Sequence, residues 1–285
     1  SYPVLYLLHG GGGGWSGQWV VGGGTAEWST KGKDLITVMP DCGKVGWFTD
    51  WINAGGAQKW ESFHLTQLIP WIDANLRTNP RKEGRAIAGL SMGGYGAFYY
   101  ASKRPDLFAY AGSFSGAVDL ENSGTQLVIY QQSLQSGFAG NGAFGPTDSK
   151  NWTAHNPIKR IDKLRNVQLA LYVGSGIHMF DVLEGTMHDS AVSMHNALDK
   201  AKIKHFFWMY GRPGNGCDGG HNFGCWNFAF NDALPKMMEV LADAKDAGPE
   251  DHWWDNIIPW KAGLPTADSL KISLPVEVNW DGRGK

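Results

Sequence analysis

Between residues 85 and 100 an apolar run, Arg85-Ala86-Ile87-Ala88, meets a helix-compatible run, Gly94-Tyr95-Gly96-Ala97-Phe98-Tyr99-Tyr100, through Gly89-Leu90-Ser91-Met92-Gly93. A chain that passes from strand to helix in so few residues must turn sharply. Glycines two before and two after the serine remove the side chains that would obstruct such a turn. The turn presents the Ser91 hydroxyl at the C-terminal edge of a sheet and sets the Met92 amide at a helix N-terminus, where developing negative charge is favoured. A chain with 39 glycines can produce Gly-x-Ser-x-Gly by chance; the strand–turn–helix context separates this instance from that background. Ser91 is therefore the candidate nucleophile and Met92 a candidate oxyanion donor.

The rest of the sequence supports a sheet around that turn. Apolar runs at Val4–Leu8, Leu35–Met39, Arg85–Gly89, Phe108–Ser113, Val167–Val173 and His205–Tyr210 read as strands, several apolar throughout, as parallel strands covered on both faces are. Helical patterns lie between them: Trp60–Leu76 with a kink expected at Pro70, a helix after Ser91, one over Asp189–Lys200 and one over Trp226–Ala242. Strand and helix alternating in this way predict a doubly wound α/β sheet with helices on both faces, in one domain spanning 1–285. Two regions break the rhythm. Residues 114–166, rich in Gly, Ser, Gln and Asn, read as an insertion or cap, and 245–285, with Trp253, Trp254, Trp260 and Trp280, as a tail wrapping the surface.

Acyl chemistry at a serine needs a second oxyanion donor, a base and an acid. Leu8-His9-Gly10-Gly11-Gly12-Gly13-Gly14 runs from an apolar strand into glycines whose backbone can approach a substrate oxygen. Gly11 is the chosen donor, with Gly10 and Gly12 as alternatives because spacing does not fix the register. Among nine histidines, His221 follows the last strand and precedes the last helix, where this chain order places the base; His178 and His188 are its rivals. The acid should follow Val167–Val173, where Asp181, Glu184 and Asp189 all qualify.

Other chemistries find no support. Lys and Arg number 25 against 27 Asp and Glu, a net charge of -2, so the basic excess that nucleic acid demands is missing. No apolar run reaches the ~20 residues of a membrane span, and no metal-ligand spacing or dinucleotide fingerprint implies a cofactor. Three cysteines are too few for a disulfide scaffold. Cys217 and Cys225, eight positions apart, either close a small staple or remain free thiols, and Cys42 reads as a small buried side chain. The opening Ser1 suggests a processed or trimmed form.

Several segments resemble the antigen 85 mycolyltransferases of the secreted α/β-hydrolase esterase superfamily: Ala26-Glu27-Trp28, Val38-Met39-Pro40, Phe48-Thr49-Asp50-Trp51, Lys59-Trp60-Glu61-Ser62-Phe63, Gly89-Leu90-Ser91-Met92 and Tyr110-Ala111-Gly112-Ser113. The resemblance implies an α/β-hydrolase fold, a secreted or cell-envelope location and, through Val182-Leu183-Glu184 ahead of a helix, Glu184 as the acid with Asp181 second. The family's His-x-x-x-x-Trp matches His221 and Trp226. The departures are equally specific. His9-Gly10-Gly11-Gly12 replaces the family's Asp-Gly-Leu-Arg, Phe223 stands where it has tryptophan, and Ala54-Gly55-Gly56-Ala57 lacks its disulfide cysteine. The His-Gly-Gly loop is closer to feruloyl-type and other carboxylesterases of the superfamily.

The expected function is thus hydrolysis of a small-molecule or glycolipid ester through an acyl-serine. The alternatives are acyl transfer of the antigen 85 type and a non-catalytic glycan- or matrix-binding protein on a hydrolase scaffold. Trp15, Trp19, Trp47 and Trp51 are placed either in an acyl groove or in the ordinary core.

Overall fold

A computed structural model describes residues 1–22, 24–52, 59–137, 142–175, 181–211 and 217–242. All fall in the first of the two units into which the chain divides, Ser1–Asp251 and His252–Lys285. The expected tail at 245–285 and the rival base His178 lie outside the described residues.

The strands are β1 (Val4–Leu8), β2 (Ile36–Val38), β3 (Arg85–Leu90), β4 (Tyr110–Phe114), β5 (Gln168–Gly174) and β6 (His205–Tyr210), each within two residues of an expected run. They form one sheet in the order β2-β1-β3-β4-β5-β6, and every pairing is parallel. The central strands β1, β3 and β4 are buried along their whole length, which is why their sequences lack polar alternation.

The helices are α1 (Gln18–Val21), α2 (Thr25–Thr30), α3 (Trp60–Phe63), α4 (Ile69–Asn75), α5 (Met92–Lys103), α6 (Ser123–Gln135), α7 (Lys150–His155), α8 (Val182–Lys200) and α9 (Phe223–Ala242). Strand register shows how they cover both faces. Leu5, Ala86 and Tyr110 are in line, as are Leu7, Ala88, Gly112 and Ala170, and then Leu90, Phe114 and Tyr172. That face packs against Trp19, Ala26 and the α9 residues Phe230, Ala233, Leu234 and Met237. The opposite face carries α5 against β1, β3 and β4, and α8 against β5.

Three expectations are refined. The Trp60–Leu76 helix is three segments, because His64–Leu68 is π-helical and α4 restarts with Pro70 in its first turn. There the missing proline N–H breaks no regular ladder. The helix expected to begin at Asp189 begins at Val182, because the Asp181 carboxylate accepts the Glu184 N–H and caps it. Residues 114–166 hold α6, α7 and a 3₁₀ stretch, Pro157–Leu164, with α6 packed on α8 and the 3₁₀ stretch on α5 and α8.

Candidate active site

Ser91 follows β3 directly and adopts φ 52°, ψ −118°, a conformation that side-chain-bearing residues rarely take. Its N–H donates to Phe114 O at 2.8 Å and its carbonyl accepts the Tyr95 N–H at 3.1 Å, so β4 and the first turn of α5 hold the strained backbone. The two flanking glycines are required by close approach. A Cβ on Gly93 would lie 2.5 Å from Leu8 O and 2.6 Å from His9 O, and one on Gly89 would lie 2.5 Å from the Gly93 backbone. Strand β1, the turn and helix α5 thus pack with backbone against backbone, leaving Ser91 8% exposed at the C-terminal edge of the sheet.

His221 lies in the loop between β6 and α9. Its Nε2 is 3.0 Å from Ser91 Oγ and its Nδ1 is 2.7 Å from Glu184 Oε2. An ionised carboxylate only accepts, so Nδ1 carries the proton and Nε2 is left to accept the serine hydroxyl. Trp226 stands edge-on to the imidazole, with ring centroids 4.9 Å apart. The loop is tied down by the Cys217–Cys225 disulfide, which settles the choice between staple and free thiols.

Glu184 is fully buried in the first turn of α8. Its Oε1 accepts the Ser115 hydroxyl at 2.8 Å and the Gly174 N–H. Ser115 Oγ in turn lies 2.9 Å from Tyr210 Oη and accepts Trp226 Nε1–H at 3.3 Å. Burial and the nearby Glu184 charge push the Tyr210 phenol well above its ordinary range, which keeps it a neutral partner. Three donors on one carboxylate satisfy a buried charge that would otherwise be costly.

Asp181, the second-ranked acid, touches backbone rather than imidazole. Its Oδ1 accepts the Glu184 N–H at 2.9 Å and its Oδ2 accepts the His221 N–H at 2.8 Å. It therefore clips together the two segments that bear His221 and Glu184. Asp189 is exposed and pairs with the neighbouring His188 at 3.1 Å, further along α8 from Glu184, so neither joins the cluster.

The glycine loop after β1 passes over the serine: a Cβ on Gly10 would stand 3.5 Å from Ser91 Cβ. Two of its three candidate amides are engaged, Gly10 N–H by Gln18 Oε1 at 2.7 Å and Gly12 N–H by Lys44 O at 2.9 Å. Among the described residues no acceptor takes the Gly11 N–H. His9 sets the loop from below, donating from Nδ1 to Gly10 O at 2.8 Å and accepting the Cys42 N–H at Nε2, 3.0 Å. Burial lowers its pKa and keeps it neutral, as that pair of bonds requires. The Met92 N–H opens α5 on the other side of Ser91.

Sequence reading overlooked Ser115, Tyr210 and Gln18. Ser115 has φ 48° directly after β4; the only local signal was its place between the end of a strand and Gly116. Of the four tryptophans weighed for an acyl groove, Trp19, Trp47 and Trp51 are core residues at 0%, 1% and 4% exposure, and Trp19 and Trp51 donate their indole N–H to Leu8 O and Gly46 O. Trp15 alone of the four is exposed.

The fold and sequence have relatives. An esterase of Mycobacterium tuberculosis is 41% identical over 181 residues, covering 61% of this chain and 39% of that protein. This chain thus spans about two-fifths of the length of that relative. Diacylglycerol acyltransferase/mycolyltransferase Ag85A of Mycobacterium ulcerans is 26% identical over 199 residues, 66% of this chain and 57% of the other. The crystal structure of MPT51 from Mycobacterium tuberculosis superposes with a TM-score of 0.71 at 24% identity, covering 84% of this chain and 90% of that one. With an all-parallel sheet, this likeness makes the fold that of the α/β hydrolases, as expected. The family model described as "Putative esterase" matches residues 1–237, and the chain belongs to that esterase family.

Proposed function

We propose that the chain hydrolyses carboxylic esters through an acyl-Ser91 intermediate. The observation that carries this reading is the unbroken path from Ser91 Oγ to His221 Nε2 at 3.0 Å and from His221 Nδ1 to Glu184 Oε2 at 2.7 Å. His221 takes the hydroxyl proton as Ser91 Oγ attacks the ester carbonyl, and Glu184 holds the ring in the required tautomer and stabilises the imidazolium. The tetrahedral oxyanion is received by the amides of Met92 and Gly11; such a donor is worth ~10²–10³ in rate. His221 then returns its proton to the departing alcohol. A water molecule, deprotonated by the same imidazole, releases the acid and restores the serine. The Cys217–Cys225 disulfide favours an oxidising location, outside the cytosol or in the cell envelope. No helix among the described residues is long and apolar enough to cross a membrane.

A second reading, acyl transfer to a hydroxylated acceptor, is favoured by the acyltransferase relative. Water is the better acceptor here, because Gly12 and Phe223 stand where the antigen 85 pattern has arginine and tryptophan. A site without polar partners for a sugar discriminates only modestly for it. A fluorophosphonate probe followed by peptide mapping tests the first reading. An adduct on Ser91 is expected, and no adduct leaves a binding protein on a hydrolase scaffold. Mass spectrometry of products formed from an acyl donor with excess trehalose separates the two enzyme readings: free acid supports hydrolysis, and acyl-trehalose as the main product supports transfer.

A further inference from the structure

We infer that His195, Asp199 and His205 form a binding site for a divalent transition-metal ion of the zinc class, at the far end of α8 from Glu184. His195 and Asp199 are four residues apart on α8, hence on one face of the helix. His205 is the first residue of β6, the edge strand of the described sheet. One ligating atom from each of the three lies within 4.8 Å of the others. Asp199 oxygens stand 3.5 Å from His195 Nε2 and 3.9 Å from His205 Nε2, and His195 Nδ1 is 2.7 Å from His205 Nε2.

The second layer is that of a ligating imidazole. His205 Nδ1 lies 2.9 Å from the Ile203 carbonyl, which can only accept, so Nδ1 bears the proton and Nε2 presents its lone pair. The His205 side chain is 3% exposed, and His195 is stacked on Phe207 at 4.2 Å with the rings 11° from parallel. Both imidazoles are therefore held in place before any ion arrives. In the metal-free protein the close nitrogen pair is bridged by a proton on His195 Nδ1. Metal–nitrogen bonds of ~2.0–2.1 Å in tetrahedral geometry set ligand atoms about 3.3 Å apart. One imidazole gives an ion one nitrogen, here His195 Nδ1; its 2.7 Å separation from His205 Nε2 must open, and the 3.9 Å between His205 Nε2 and Asp199 must close, each by about half an ångström. Binding puts the ion in place of the proton on His195 Nδ1, and the ring stays neutral by carrying its proton at Nε2, on the side of Asp199 Oδ2 at 3.5 Å. Asp199 and His205 also border a cavity lined by Lys202 and Lys204, which leaves room for a water molecule as fourth ligand. The two lysines oppose a cation held by charge alone, which excludes calcium-like occupants and leaves an ion bound through imidazole nitrogen.

An ion here would fasten the C-terminal end of α8 to the edge strand. The test uses the intact chain, stripped with chelator and dialysed, then titrated with Zn²⁺ alone and with Co²⁺ as a spectroscopic probe. Co²⁺ is expected to give the intense visible bands of a four-coordinate site at one equivalent. Zn²⁺ at a hundredfold excess over Kd should raise the unfolding midpoint by roughly 5 °C. Asp199→Asn and His195→Gln, both at solvent-accessible positions, should each lose most of the shift while keeping ester hydrolysis. His205→Ala should abolish it, and the other two decide the matter if that variant does not fold. No cobalt spectrum, or a zinc shift undiminished in the His195→Gln/Asp199→Asn double variant, would overturn the site.

Discussion

His221 and His64 are both largely buried imidazoles with both ring nitrogens engaged, yet their partners differ in kind. His221 sits between a hydroxyl and a carboxylate. His64 sits 2.9 Å from the Tyr100 hydroxyl at Nδ1 and 2.9 Å from the Asp41 carbonyl at Nε2. A carboxylate supports the positive charge that a base acquires during reaction, whereas at His64 the help of a neutral carbonyl is outweighed by burial. Burial accordingly lowers the His64 pKa to about 4. His64 is thus enclosed without a carboxylate partner, whereas His221, the proposed base, has both enclosure and a counter-charge.

The strongest way to break this contrast is to remove the ring. His221→Ala and Ser91→Ala should each cut hydrolysis of a short nitrophenyl ester by about 10⁴–10⁶, because such groups act as a unit. Steady-state rates within tenfold of the parent would mean that another pair does the chemistry. Removing only the counter-charge comes next. Glu184→Gln keeps the shape and should lower kcat by about 10⁴, as loss of the orienting carboxylate does elsewhere. Asp181→Asn, which keeps an acceptor for only one of the Glu184 and His221 amides but leaves the carboxylate beside the imidazole, should cost far less, about tenfold. A reversed ranking in kcat would transfer the acid's role to Asp181.

The oxyanion side is sharpened by Gly11→Pro, which deletes one N–H and should cost ~10²–10³ in kcat. Gly11→Ala retains the amide, and its one tight contact is with the flexible end of Gln132, at 2.8 Å from Oε1, beside an ordinary 3.5 Å contact with Lys44 O; it should be much milder. Equal losses would point to loop distortion and away from a donor.

The smallest effect concerns the structural member of the pair. An unfolded chain protonates the imidazole of residue 64 near pH 6.5, whereas the folded state resists to about pH 4. Between those values the unfolded state binds the extra proton. The stability from His64 is thus fully present above pH 6.5 and falls as pH drops toward 4, by about 3 kcal/mol at most. Burial lowers His9 and His155 as well, and both act in the same direction. Urea midpoints at pH 7 and pH 4.5 should show a smaller acid-induced loss in His64→Gln than in the parent. Identical losses would assign the acid sensitivity to other groups.

What could be read from the sequence was what depends on near neighbours along the chain. The six strands, the turn at Ser91 and the placement of His221 before the last helix follow from apolar runs, from glycine spacing and from chain order. Glu184 was singled out by resemblance, since Asp181, Glu184 and Asp189 share one segment and one charge. Tertiary structure distinguished them: Asp181 caps the helix it precedes, Asp189 faces solvent, and Glu184 turns inward to Ser115, Gly174 and His221. Trp19, Trp47 and Trp51 became core for the same reason, because burial is fixed by what the rest of the chain brings to the position. Nothing local in the sequence foretold that His195 would stand beside His205, or that Ser115 would join Tyr210 and Trp226 behind the carboxylate. Those meetings depend on the parallel sheet setting β4, β5 and β6 side by side with α8 and α9 across its two faces. Local steric rules act over a few residues and leave a trace in the sequence; contacts between distant segments exist only once the sheet has assembled.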